Sequence, residues 1–144
     1  DLHLLEAAFQ REVYKLIDNG EGFDGDRLCE IKKAVLKKFW GDAVEIDDDA
    51  ALTWMRQSHY YMGLYPYTYS ASLTISTQAY LKIKEQGQPA IDAWLKFLKF
   101  DNCPAPIEAA KIAGVDITTD EPLKNTIKFL DKTVDKIAEL TKEL

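Results

Sequence analysis

Apolar residues recur at helical spacing along most of this chain. Leu5, Ala8, Phe9, Val13, Leu16 and Ile17 line one face of a first helix, predicted from about Leu2 to Asp18, and Asn19-Gly20 supplies a left-handed stop. Asp24 or Asp26 can cap a second helix, with Leu28, Ile31, Val35 and Phe39 as its predicted buried stripe. Lys32, Lys33, Lys37 and Lys38 read as its solvated face, with cations near the helix C-terminus, rather than as an anion patch. Asp47-Asp48-Asp49 suits the capped start of a third helix, running from Asp49 to about Ser58 or His59. No further calcium-loop ligands follow these carboxylates, which argues against a metal loop.

Gly63 and Pro66 interrupt helical continuity, so a loop is expected from about Tyr61 to Tyr65. The small-residue segment from Tyr67 to about Gln86 predicts a helix buried nearly all round, stopped by Gly87. Pro89 suits the first turn of the next helix, which carries Ile91, Trp94, Leu95 and Leu98. Asp101-Asn102-Cys103-Pro104 reads as a loop, and Pro106 starts a short helix ending at Gly114. Thr118 or Thr119 can cap the last helix, with Pro122 near its first turn. Its stripe of Leu123, Ile127, Leu130, Val134 and Ile137 is expected to dock onto the rest of the chain.

The sum is an all-α chain of about seven helices with no convincing strand. No repeat or linker divides it, so residues 1-144 read as a single helical unit. The chain begins at Asp1 with the helical pattern already running at Leu2, which reads as a piece of something longer.

Charge and composition narrow the function. The net charge of −6 gives no basic field for nucleic acid or an anionic membrane. No apolar stretch approaches bilayer length. Cys29 and Cys103 lie far apart without a CxxC companion, which fits free thiols in a reducing, cytoplasmic setting. The histidines are His3 and His59, and no HExxH, GxxxxGK or GxSxG motif is present.

The least random feature is the run Ser58-His59-Tyr60-Tyr61-Met62-Gly63-Leu64-Tyr65-Pro66-Tyr67-Thr68-Tyr69, which holds five of the seven tyrosines. A tyrosine offers a broad apolar ring and a hydroxyl that stays protonated at neutral pH. Such a run can wall a ligand and donate hydrogen bonds to it, or it can fill an irregular corner of the core. Tyr60 and Tyr61 read as packing residues. Alternation along an extended stretch would send Tyr65, Tyr67 and Tyr69 to one side. Gly63 is either a hinge or a simple turn residue, and Arg56 either a carboxylate grip or a surface ion-pair partner.

From Thr53 to Ser72 the chain resembles the oligoendopeptidase F group of M3, thimet-oligopeptidase-like, zinc metallopeptidases. Their pattern of His-Phe/Tyr-Tyr, then Phe/Tyr-x-Tyr-x-Tyr-Ala-x-Gly, is met by His59, Tyr60, Tyr61, Leu64, Tyr65, Tyr67, Tyr69 and Ser70-Ala71-Ser72. The flanks Lys37-Lys38-Phe39-Trp40-Gly41-Asp42, Ala105-Pro106-Ile107-Glu108 and Ala113-Gly114-Val115-Asp116 are similar too. Ser58 departs from the usual proline, and Ser72 from a common glycine.

The resemblance implies the C-terminal segment of a larger α-helical catalytic domain, without the HExxH region. It implies a zinc endopeptidase as the parent, acting on internal bonds of short peptides. His59 and Tyr65 would donate to substrate or oxyanion, Tyr67 and Tyr69 would orient the peptide, and Gly63 would let the loop swing over it. No zinc is expected on this chain, which alone would be inactive. Its partners would be peptides, the missing N-terminal part of the same polypeptide, and other copies of itself through uncovered apolar surface. The competing reading is a non-catalytic α-helical peptide-binding or scaffold module.

Overall fold

Helix α1 (Leu2–Asp18) turns Leu5 and Phe9 inward, at 5% and 3% exposure. It ends in a Schellman turn at Gly20 (φ 71°), where the Glu21 N–H reaches back to the Leu16 carbonyl. Helix α2 (Gly25–Trp40) starts on the Asp24 carboxylate, which accepts from the Arg27 N–H at 2.9 Å. It stops at Gly41 (φ 57°). The computed structural model describes residues 2–100 and 104–142; the predicted loop at Asp101, Asn102 and Cys103 lies outside the described residues. These residues fall into two compact units, divided between Ala71 and Ser72 where the sequence showed no linker.

The first unit packs α1 against α2, and α2 against a short helix α3 (Asp48–Ala51). Asp47 caps α3 by accepting from the Ala50 N–H at 2.8 Å. The expected third helix does not continue to His59. It gives way to two 3-10 turns, Leu52–Arg56 and Ser58–Tyr61, separated by Gln57 in an extended conformation (φ −84°, ψ 98°). An extended residue cannot propagate i to i−4 bonding, so the chain is re-aimed at Gln57.

The second unit holds most of α4 (Tyr67–Gln86), then α5 (Gln88–Leu98), α6 (Pro106–Ile112) and α7 (Glu121–Thr141). The described residues thus form seven α-helices and no strand. Its centre is built from small side chains: Ala79, Ala110, Ala113 and Val115 are buried. Gln78 donates to the Thr126 hydroxyl at 3.0 Å, which satisfies two buried polar groups together.

Burial differs from expectation on three helices. On α2 the fully buried residue is Lys32, at 4% exposure, whereas Phe39 is 40% exposed. On α4 only Gln78 and Ala79 are buried. On α7 the apolar stripe is open, with Ile127, Val134 and Ile137 at 57%, 63% and 59% exposure. Amphipathic periodicity marks a face that can be covered, but does not say by what. The cap of α7 also moves: Asp120 precedes it with its carboxylate paired to Lys124 at 2.7 Å and not capping the backbone, while Thr118 turns to the Asp116 carboxylate.

Candidate functional site

The tyrosine-rich run is held on the first unit by its backbone. The buried amide of Gln10, on α1, donates to the Met62 carbonyl at 3.2 Å and to the Tyr14 hydroxyl at 3.3 Å. Leu64 then takes a left-handed conformation (φ 53°). This is costly for a side chain branched beyond Cβ, on the order of 1–2 kcal/mol. Pro66, almost fully buried, pins the entry to α4. Gly63 needs no glycine for space, since an added Cβ there would meet nothing within 4 Å. The left-handed turn residue is its neighbour.

Beyond Pro66 the backbone is helical, so the period is 3.6 rather than 2. Tyr65 and Tyr69 therefore come together, with ring centroids 5.4 Å apart at 87°. His59 closes the cluster, its ring 5.1 Å from Tyr65 and 5.3 Å from Tyr69. Tyr67 does not join. It lies beside Leu64 at a separate cavity of about 470 Å³ bordered by Gln10, Arg11 and Tyr14. The helix begins at Tyr67 as predicted, so no extended stretch reaches Tyr67 and Tyr69, and the expected same-side alignment of the three tyrosines fails. Tyr61 is not packed either, at 73% exposure.

The cluster is linked by polar contacts. The Tyr69 hydroxyl lies 3.4 Å from His59 Nε2 and donates to the Tyr65 hydroxyl at 3.4 Å. The hydrogen bond with Tyr65 is the main cause that raises the Tyr69 phenol above its ordinary pKa. Tyr65 and Tyr69 are 39% and 37% exposed, so the cluster lies at the surface. His3 stacks on Tyr69 at 4.2 Å and 20°. Nothing in the sequence pattern marks His3, because a stack across distant positions leaves no local signal.

Behind the cluster lies a buried polar group that periodicity also missed. Lys32 donates to the Tyr60 hydroxyl at 2.9 Å and sits 5.4 Å from the Phe9 ring centroid and 5.3 Å from that of Tyr60. Burial lowers the Lys32 pKa, opposed by the charge of Glu6. Burial, and then Glu6, raise the Tyr60 phenol. Glu6 Oε1 accepts from the Gln57 amide at 2.6 Å, and that amide nitrogen also lies 3.2 Å from His59 Nδ1. Glu6 Oε2 is buried and finds no hydrogen-bond partner among the described residues.

Zinc does not fit this donor set. Among the described residues no group of three His, Cys, Asp or Glu side chains could hold a metal ion. One Glu6 oxygen and His59 Nδ1 are already engaged with Gln57. Nor is any helix among the described residues long and apolar enough to cross a membrane.

The fold and site define an all-α unit with an exposed His-Tyr-Tyr cluster at a helix start, and comparison with known proteins gives that class its relatives. No protein-family model matches the chain. It is 31% identical over 134 residues to oligopeptidase PepF of Bacillus subtilis, covering 93% of this chain and 20% of that protein. It is 28% identical to an oligoendopeptidase F homolog of Borreliella burgdorferi, covering 93% of this chain and 23% of that protein. The crystal structure of oligoendopeptidase-F from Enterococcus faecium matches with a TM-score of 0.90 at 25% identity, over 99% of this chain and 27% of that one. The chain is thus a relative of the oligoendopeptidase F proteins, and spans about a fifth of the length of the first of them.

Proposed function

We propose that this chain is one segment, the C-terminal one, of a cytoplasmic zinc oligoendopeptidase that cuts internal bonds of short peptides. Its zinc would be held by residues outside this sequence, and the chain alone would not hydrolyse peptides. In this reading the His59–Tyr65–Tyr69 cluster is the part that touches substrate. Tyr65, with its phenol proton, donates to the peptide carbonyl and to the negative charge that develops on it, and His59 supports that donor through Tyr69. Tyr69 holds both in register. Tyr67, set apart beside Arg11, would contact the peptide farther along, and the turn at Gly63 and Leu64 would let the loop adjust over it.

The observation that carries this reading is the open cluster itself. Two phenols are more than a third exposed, and the Tyr69 hydroxyl, 3.4 Å from both His59 Nε2 and the Tyr65 hydroxyl, links them into one polar chain that ends on Tyr65. Preorganised donors of this kind are aimed where charge develops, and losing one costs roughly 100- to 1000-fold in turnover. Contacts of this length tighten when substrate completes the catalytic geometry.

The test is Tyr65→Phe in a longer protein that carries this segment. The expected result is turnover on short peptides reduced by about two orders of magnitude, with zinc content unchanged. Turnover within twofold of the parent would refute the donor role.

A further inference from the structure

We infer that Gln57 is a positioning residue: wedged between Glu6 and His59, its amide fixes the imidazole as the Nε2–H tautomer and so directs the hydroxyl chain to leave the Tyr65 proton facing outward. The consequence for substrate rests on the proposed donor role of Tyr65; the tautomer assignment does not.

The argument begins at Glu6. An ionised carboxylate is acceptor-only, so the Gln57 group 2.6 Å from Glu6 Oε1 must be the amide NH2. The opposite orientation would press two acceptor oxygens together. The same nitrogen lies 3.2 Å from His59 Nδ1 and has a second N–H to give. Nδ1 is therefore the acceptor, and in a neutral ring the proton sits on Nε2.

Nε2 lies 3.4 Å from the Tyr69 hydroxyl, which accepts from it. Tyr69 is then free to send its own proton to the Tyr65 oxygen, 3.4 Å away. Tyr65 receives a bond and keeps its proton for a ligand. With the other tautomer each step reverses: Tyr69 would donate to Nε2, and Tyr65 would turn its proton inward onto Tyr69. One amide thus decides whether the exposed phenol is a free donor or a spent one.

Local structure explains why Gln57 can do this. It is the single extended residue between two 3-10 turns, which detaches its side chain from the helical faces on either side. Glu6 sits one turn before Gln10 on α1, the helix that also anchors the Met62 carbonyl. One helix therefore holds both the loop backbone and the orientation of its histidine.

The test is nitrogen-15 NMR of the whole chain at mildly alkaline pH, where long-range couplings distinguish the two ring nitrogens. The native chain should show His59 as Nε2–H; a ring protonated on Nδ1 overturns the inference outright. In Gln57→Glu the side chain can only accept, so the ring proton should move to Nδ1; a ring that stays Nε2–H overturns it. Gln57→Met, which neither donates nor accepts at that point, should give a mixture of tautomers. It decides the matter if far-UV circular dichroism shows that Gln57→Glu has lost its helices, and an unmixed Nε2–H ring in it likewise overturns the inference.

In a longer protein carrying the segment, Gln57→Glu should lower turnover roughly tenfold or more, but have little further effect once Tyr65 is Phe. A tautomer that switches without any change in turnover refutes the donor role and leaves the role of Gln57 standing. A tautomer that ignores Gln57 does the reverse.

Discussion

Replacing Tyr60 by Phe isolates the buried lysine contact. The ring stays, so the tilted packing on Phe9 at 4.9 Å and the cation over the aromatic faces are preserved. What disappears is the hydroxyl that accepts from Lys32 Nζ at 2.9 Å. Lys32 is only 4% exposed, so water cannot readily take the place of that oxygen. A hydrogen bond to a charged group contributes about 1.5–3 kcal/mol, and the variant should be destabilised by that amount. The melting temperature should fall by roughly 5–10 °C. Urea unfolding followed by tryptophan fluorescence is the suitable assay, because Trp40 and Trp54 both lie in the first unit and report the transition that contains the contact. The double variant Lys32→Met with Tyr60→Phe removes both the unpaired charge and its lost partner. It should be no less stable than Tyr60→Phe alone, since breaking one side of a buried polar pair costs more than replacing both. A Tyr60→Phe chain within about 0.5 kcal/mol of the native one, or costs that simply add in the double variant, would refute the reasoning.

Gln10→Leu should leave the Met62 carbonyl without its side-chain donor, costing about 1–2 kcal/mol and speeding amide hydrogen exchange across residues 62–65; unchanged exchange there would show that the loop is anchored otherwise. On the alkaline side two shifts oppose each other. The Lys32 pKa is lowered from 10.5, so the unfolded chain binds that proton more tightly and stability rises with pH from the lowered folded value up to about 10.5. The Tyr60 pKa is raised from 10.0, so above about pH 10 the unfolded chain loses a proton the folded one keeps, and stability falls. Lys32→Met should abolish the rise and keep the fall, as measured by urea midpoints across that range; a rise that persists points to another group. The open stripe on α7 should make the chain self-associate, so that sedimentation mass climbs above 16.4 kDa with concentration and returns to it in Val134→Glu/Ile137→Glu. A clean native monomer at high concentration would contradict this.

Helix existence was legible because it rests on short-range rules: apolar residues three and four apart, Asp24 and Asp47 with side chains free to cap, and glycines at Gly20, Gly41 and Gly87 that adopt positive φ. His59 and the tyrosines are drawn into one candidate site by their crowding between residues 59 and 69 and by the resemblance which that run carries. The sequence predicts the helix from Tyr67, but alternation carried past Pro66 into it groups Tyr67 with Tyr65 and Tyr69, although a helical turn pairs Tyr65 with Tyr69. The short-range rules also ended the third helix too late, since nothing local about Gln57 marks a break.

The sequence by itself determined the all-α class, most helix boundaries and the residues from which a functional cluster could be drawn, since these depend on neighbours within a turn or two. Only the tertiary structure decided that Lys32 lies inside, that Gln10 anchors the Met62 carbonyl, and that Glu6 reaches His59 through Gln57. Those facts depend on contacts between positions some 28 to 52 residues apart, where packing and the need to satisfy buried polar groups override local pattern.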